Sequence, residues 1–169
     1  LDPENKLYQM RLGKFYRNLE QYDKFTKLYE GLTAKYPDDL DMLSELIDAY
    51  LVTEKYDKAL EKMNLLEQQV GQNEFITEQK LNIYKRQGNT KKLLAELERL
   101  TKENPDNPRY FALLAKEYSD NGKDKEALKT FERVRELNPN DPYINISLLE
   151  YYEKNGDKDK ALNEPLAPI

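Results

Sequence analysis

Residues 108–141 carry two hydrophobic stripes separated by a break. Phe111, Leu114, Ala115 and Tyr118 fall at i, i+3, i+4 and i+7, which is one face of an α-helix. Tyr110 and Leu113 widen that face, so the helix is apolar over a broad arc and is expected to pack on two sides. Asn121-Gly122 interrupts the pattern, because glycine supplies the positive φ that ends helices. Asp124 is placed to cap a second helix, whose core face is Ala127, Phe131 and Val134. Asn138-Pro139 stops that helix, since the residue before a proline is pushed out of helical geometry.

The same pattern recurs every 34 residues without insertion, the mark of one supersecondary unit copied in tandem. Tyrosine stands at Tyr16, Tyr50, Tyr84, Tyr118 and Tyr152. Pro37, Gly71, Pro105 and Pro139 keep the same step, as do Phe25, Ala59, Leu93, Ala127 and Ala161, and Leu12, Leu46, Lys80, Leu114 and Leu148. The registers run over 6–39, 40–73, 74–107, 108–141 and an incomplete 142–169. Ten helices and no strand are predicted. First helices are expected near 6–19, 40–53, 74–87, 108–121 and 142–155. Second helices are expected near 23–36, 57–69, 91–103 and 124–137, with a short remnant after Lys158. The tyrosine column is read as a core position, because an aromatic stripe at helical spacing packs far more often than it binds.

A helix–turn–helix of this length, with Leu114, Ala115, Tyr118, Ala127, Phe131 and Pro139 in the fourth register and Leu12, Gly13, Tyr16, Phe25, Tyr29, Leu32 and Pro37 in the first, resembles the tetratricopeptide repeat. The second register follows with Leu43, Leu46, Tyr50, Ala59, Met63 and Leu66. The third is the most degenerate, with Thr77 and Lys80 at apolar positions. The resemblance covers essentially the whole chain. It implies an all-α fold, an α-solenoid of helix–turn–helix repeats wound into a right-handed superhelix, whose first helices line a concave groove.

Carried over position by position, the resemblance implies a groove face whose candidate binding residues are Met10, Arg11, Lys14, Arg17, Leu51, Val52, Phe75, Asn82, Lys85, Arg86, Arg109, Lys116, Tyr143 and Ile146. Leu51, Val52 and Phe75 are apolar where a groove is exposed, and basic residues flank them. Such a patch suits a peptide with acidic and apolar side chains. An equal alternative is that these three pad contacts between repeats. The chaperone-binding branch of the family clamps a carboxylate with Lys, Arg and Asn at fixed positions. Here those positions hold Met10, Lys14, Glu45, Phe75 and Gln79, so that specialisation is not expected.

Leu1-Asp2-Pro3-Glu4-Asn5 fits the end of an upstream repeat, while Pro165 and Pro168 stand where a second helix needs its interior. The chain is therefore expected to be part of a longer array. Net charge is −5, with a basic excess in 6–39 and an acidic excess in 40–73, which argues against a nucleic-acid footprint. The sequence lacks histidine, cysteine and tryptophan, and it has no phosphate loop, nucleophile elbow or metal-ligand cluster. No cofactor, metal or catalytic residue is expected, and no segment is apolar enough to insert in a membrane. The Lys-, Asn- and Tyr-rich style suggests a bacterial source. Cytoplasm and periplasm both fit, and oligomeric state is left open. The reading is a non-enzymatic scaffold that binds a protein or peptide. The alternatives are an assembly spacer or dimerisation module, and a regulatory segment of a larger protein, membrane-anchored or not.

Overall fold

The computed structural model describes residues 5–139, 142–157 and 159–160, with the side chains of residues 142 and 143 outside that set. The described residues form nine α-helices and no strand: α1 (Lys6–Asn18), α2 (Tyr22–Lys35), α3 (Leu40–Val52), α4 (Tyr56–Val70), α5 (Glu74–Arg86), α6 (Thr90–Glu103), α7 (Pro108–Asp120), α8 (Asp124–Leu137) and α9 (Pro142–Lys154). Every first helix starts where the register predicts and stops one residue earlier. The expected tail at 1–4 and the second helix from 161 onward lie outside the described residues, although 159–160 are helical.

The helix starts have a common cause. Asn5, Asp39, Asn73 and Asn107 share one column, and each accepts backbone N–H groups of the helix that follows. Asn5 Oδ1 takes Leu7 N–H at 2.9 Å, Asp39 Oδ1 takes Met42 N–H at 3.1 Å, Asn73 Oδ1 takes Phe75 N–H at 2.9 Å, and Asn107 Oδ1 takes Arg109 N–H at 3.1 Å. These side chains satisfy donors that the helix itself cannot.

The turn inside each repeat is also a column. Glu20, Glu54, Gly88, Gly122 and Gly156 all sit at positive φ, between 54° and 74°. The next residue's N–H reaches back to the carbonyl of the column tyrosine, as in Lys123 to Tyr118 at 2.9 Å and Lys55 to Tyr50 at 2.8 Å. This closes the C-terminal turn in the Schellman manner. One expectation is corrected here. Asp124 does not cap α8: the cap residue is Lys123, without a side-chain bond, and Asp124 lies in the first turn. The chain leaves the left-handed turn directly into the helix, so acidic residues there act on the helix dipole instead.

Two compact units result, Leu1–Ile83 and Tyr84–Ile169, divided within α5. In the first, Phe25, Tyr29 and Leu32 of α2, Leu43, Leu46, Ile47 and Tyr50 of α3, and Ala59 and Met63 of α4 are buried. In the second, Ala115, Ala127, Phe131, Val134, Ile144, Leu148, Tyr151 and Tyr152 form one cluster. The broad buried arc of α3 fits its place between α2 and α4.

The column tyrosines are structural. Tyr50 and Tyr152 are buried, and Tyr16, Tyr84 and Tyr118 are half-buried. Tyr50 Oη donates to Glu30 Oε1 at 2.6 Å, and Tyr118 Oη donates to Glu98 Oε1 at 2.7 Å, in each case to the second helix of the preceding register. A lysine ammonium lies over the ring at 5.4 Å for Tyr50 and 5.3 Å for Tyr118. Burial, then the carboxylate bond, pushes both phenols well above their ordinary pKa. The Tyr50 and Lys58 bonds hold the Glu30 carboxyl below the usual range.

Candidate peptide-binding clefts

Adjacent first helices leave an open cleft in each unit. In the first, α1, α2 and α3 enclose about 290 Å³ lined by Arg17, Tyr22, Phe25, Asp48, Leu51 and Val52. In the second, α7, α8 and α9 enclose about 160 Å³ lined by Lys116, Ser119, Asp120, Ser147, Glu150 and Lys154. Arg17, Asp48 and Val52 correspond to Ser119, Glu150 and Lys154 three registers later. The two clefts are one architectural feature with different lining: apolar at one end in the first unit, mostly polar in the second, where Phe131 and Tyr151 supply the apolar part.

The cleft walls are partly committed to intramolecular pairs. Arg17 Nη1 donates to Glu45 Oε2 at 2.7 Å. Asp48 sits half-buried beside it, and desolvation raises its pKa against the opposing pull of Arg17. Lys85 pairs with Glu117 at 2.6 Å, and Lys116 with Asp120 at 3.6 Å. Lys154 Nζ donates to the Ser119 carbonyl at 2.8 Å, tying α9 to α7. Arg17, Lys85 and Lys116 are therefore not spare cations awaiting a ligand.

The remaining groove residues are placed as follows. Arg11, Lys14, Asn82, Arg86, Arg109 and Ile146 are exposed, and Met10 and Leu51 are half-buried. Val52 is 55% exposed and Phe75 63% exposed. The Tyr143 side chain lies outside the described residues. Val52 and Phe75 both belong to the first unit, at the end of α3 and the start of α5.

A second type of cleft was not foreseen. It lies between consecutive second helices and is floored by the first helix between them. In the first unit it measures about 220 Å³, with Glu30, Leu43, Tyr50 and Leu65. In the second it measures about 680 Å³, with Glu98, Phe111, Tyr118 and Arg133 at matching positions. The larger one is partly filled by its own wall. Arg133 lies 5.9 Å from the Phe111 ring centroid, donates to Glu136 at 3.0 Å and reaches the Pro105 carbonyl at 3.3 Å. The only sequence signal was arginine at Arg133 in the column of Leu65.

Among the described residues no group of three or more His, Cys, Asp or Glu side chains could hold a metal ion, and no helix is long and apolar enough to cross a membrane. Ionised groups near the clefts, such as Glu45 and Glu117, are engaged in the ion pairs above.

Comparison with known proteins agrees with this geometry. A family profile described as tetratricopeptide repeat matches residues 112–167, and one described as bacterial transcriptional activator domain matches residues 63–139. No curated relative matches the chain. Among solved structures, MamA 41-end from Desulfovibrio magneticus RS-1 is 13% identical, covering 92% of this chain and 88% of its own at a TM-score of 0.60. MamA AMB-1 is 20% identical, covering 94% and 86% at 0.61. YrrB, described as a TPR protein with an unusual peptide-binding site, is 15% identical, covering 96% and 84% at 0.60. At these identities the likeness is one of fold.

Proposed function

We propose that this chain, whose helix pairs share the fold of tetratricopeptide-repeat proteins, is an interaction scaffold without catalytic chemistry, which holds a segment of another protein against the exposed face of its first helices. The observation that carries this reading is the exposed Val52, which lines a cleft with Leu51, Arg17 and Asp48, together with Phe75, exposed at the start of α5 in the same unit. Large apolar side chains on a solvated helix face mark a contact surface when they accompany a concavity. The YrrB description, a repeat protein that binds a peptide, supports the same class of ligand.

The ligand is a segment with apolar side chains and acidic flanks. Apolar contact supplies most of the affinity, since an exposed ion pair contributes only about 0–1 kcal/mol. Charge recognition falls to Arg11 and Lys14 on α1, both exposed, because Arg17, Lys85 and Lys116 already hold carboxylates. Those two cations set on-rate and orientation more than residence time. Titration of a peptide library against the native chain, Phe75→Ala and Lys14→Ala tests this. Phe75→Ala is expected to weaken binding by tenfold or more, and Lys14→Ala by less, mostly through slower association in added salt. Equal affinity for Phe75→Ala and the native chain would overturn the groove reading in favour of a spacer, which gel filtration would then show as a self-association.

The match of 63–139 to the bacterial transcriptional activator domain favours one second reading, a regulatory segment of a larger protein. It needs the same surface and differs in what the captured segment controls.

A further inference from the structure

The third register departs from the others along one seam. Lys80 stands in the column of Leu12, Leu46, Leu114 and Leu148. Its side chain is only 4% exposed, and its ammonium is ion-paired with Glu67 of α4, which is 17% exposed. Thr77, one turn earlier on α5, is buried, and its hydroxyl oxygen has no hydrogen-bond partner among the described residues. Gly71, at φ 79°, replaces the proline found at Pro37, Pro105 and Pro139, so the connection between α4 and α5 is the least restrained of its kind. Lys80, Glu67, Thr77 and Gly71 all lie in the first compact unit.

A leucine at this column gains free energy from leaving water and makes opening costly. A buried ion pair does not, because the desolvation of both charges offsets their attraction. Opening the seam rehydrates the ammonium, the carboxylate and the Thr77 hydroxyl together. We propose that residues 74–83 of α5 open from α4 as a local unit while α2 and α3 stay folded, with Lys80 and Glu67 as the latch. Phe75 and Asn82 ride on the segment that opens, although the proposal holds whether or not they bind anything.

The latch is asymmetric. Glu67 is the more exposed partner, at 17% against 4%, although its Oε1 is buried, whereas Lys80 cannot leave without carrying α5 away. Removing the cation is therefore benign, and removing its counter-charge is not. Native-state hydrogen exchange on the full chain reads this directly. In the native protein, amides of 78–83 are expected to exchange at least tenfold faster than those of 43–50 in α3. Lys80→Leu is expected to slow the α5 amides at least tenfold, towards the α3 rate. Glu67→Gln is expected to speed them at least tenfold and leave α3 unchanged. Equal rates for the two helices in the native chain, or faster α5 exchange in Lys80→Leu, would overturn the proposal. Lys80→Leu keeps it testable even where Glu67→Gln prevents folding.

Discussion

The same substitution at two helix-interior glycines is expected to have opposite effects. Gly31 of α2 is exposed, and a β-carbon built there meets nothing within 4 Å. Gly31→Ala should therefore gain the helix propensity of alanine, about 1 kcal/mol. Gly13 of α1 is buried, and a β-carbon there would lie 2.5 Å from Tyr29 Cε2 and 3.2 Å from its Oη. The ring cannot retreat, because it is buried and tilted against Phe25 with centroids 4.5 Å apart. Relieving the contact means separating α1 from α2 by about 1 Å, an overpacking that costs about 1–3 kcal/mol. Set against the same propensity gain, Gly13→Ala should lose about 1 kcal/mol, leaving a difference of about 2 kcal/mol between two chemically identical changes. Urea unfolding followed by circular dichroism, with the m-value checked for constancy, measures both. Tyr29→Leu in the Gly13→Ala background removes the ring and should recover the propensity gain. The columns support the argument: Gly13 pairs with Tyr29 and Ala115 with Phe131, whereas Ile47 pairs with Met63 and Leu81 with Leu97. If Gly13→Ala stabilises as much as Gly31→Ala, the close approach of the helices is not what holds this column small.

Three other predictions rest on separate features. Glu54 is left-handed in a column that is otherwise glycine in three registers, so Glu54→Gly should stabilise by up to about 1 kcal/mol and Gly122→Ala should destabilise by about as much; thermal melts of both decide it. The Tyr50 and Tyr118 phenols titrate higher when folded, so their contribution is full below the unfolded value near 10 and is lost as pH rises through the folded one. Stability should thus fall in alkali and fall less in the Tyr50→Phe/Tyr118→Phe double variant; Glu30, held low, gives the mirror effect, lost as pH drops through its folded value. Leu114→Ala or Phe131→Ala should cost about 2–5 kcal/mol and raise hydrogen exchange in α7, α8 and α9 far more than in α1, whereas Tyr118→Ala, half-buried, should lose less from packing and also free Glu98; uniform loss of protection over the chain would contradict nearest-neighbour coupling.

The fold was legible because its determinants are local and repeat. Helix starts follow from the Asn/Asp cap column, which lies immediately before each first helix. The predicted helix ends overran by one residue for a physical reason. Thr53 still donates to the Ala49 carbonyl, but its backbone, at φ −90° and ψ 10°, has already left the helix. Asp124 misled because a short polar residue before a helix looks like a cap, whereas the Schellman turn brings Lys123 to that place. What sequence pattern does not show is which charges neutralise each other. Arg17 finds Glu45 on α3, and Lys85 finds Glu117 on α7, through the offset between successive first helices. A list of basic residues on one face therefore overstates the positive surface.

That difference also says where function is written in such a chain. Columns that close turns, cap helices or fill the helix–helix contact vary within narrow physical limits, and their exceptions explain themselves. Gly13 answers the ring of Tyr29, and Lys80 is balanced by Glu67. The first-helix columns that face solvent obey no such limit. They read Arg17, Leu51, Lys85, Ser119 and Glu153 in one column and Asn18, Val52, Arg86, Asp120 and Lys154 in the next. Folding makes no demand that would place Val52 on a solvated face, since an aliphatic side chain there gains nothing from burial. The same holds for Phe75, which is exposed at the first turn of its helix although the columns beside it bury Ile76 and Thr77. Leu7, Phe15 and Ile146 are exposed to a similar degree, and single apolar side chains are common on folded surfaces, so the Phe75→Ala titration, rather than any change in the core columns, is the experiment that decides whether a partner covers this face.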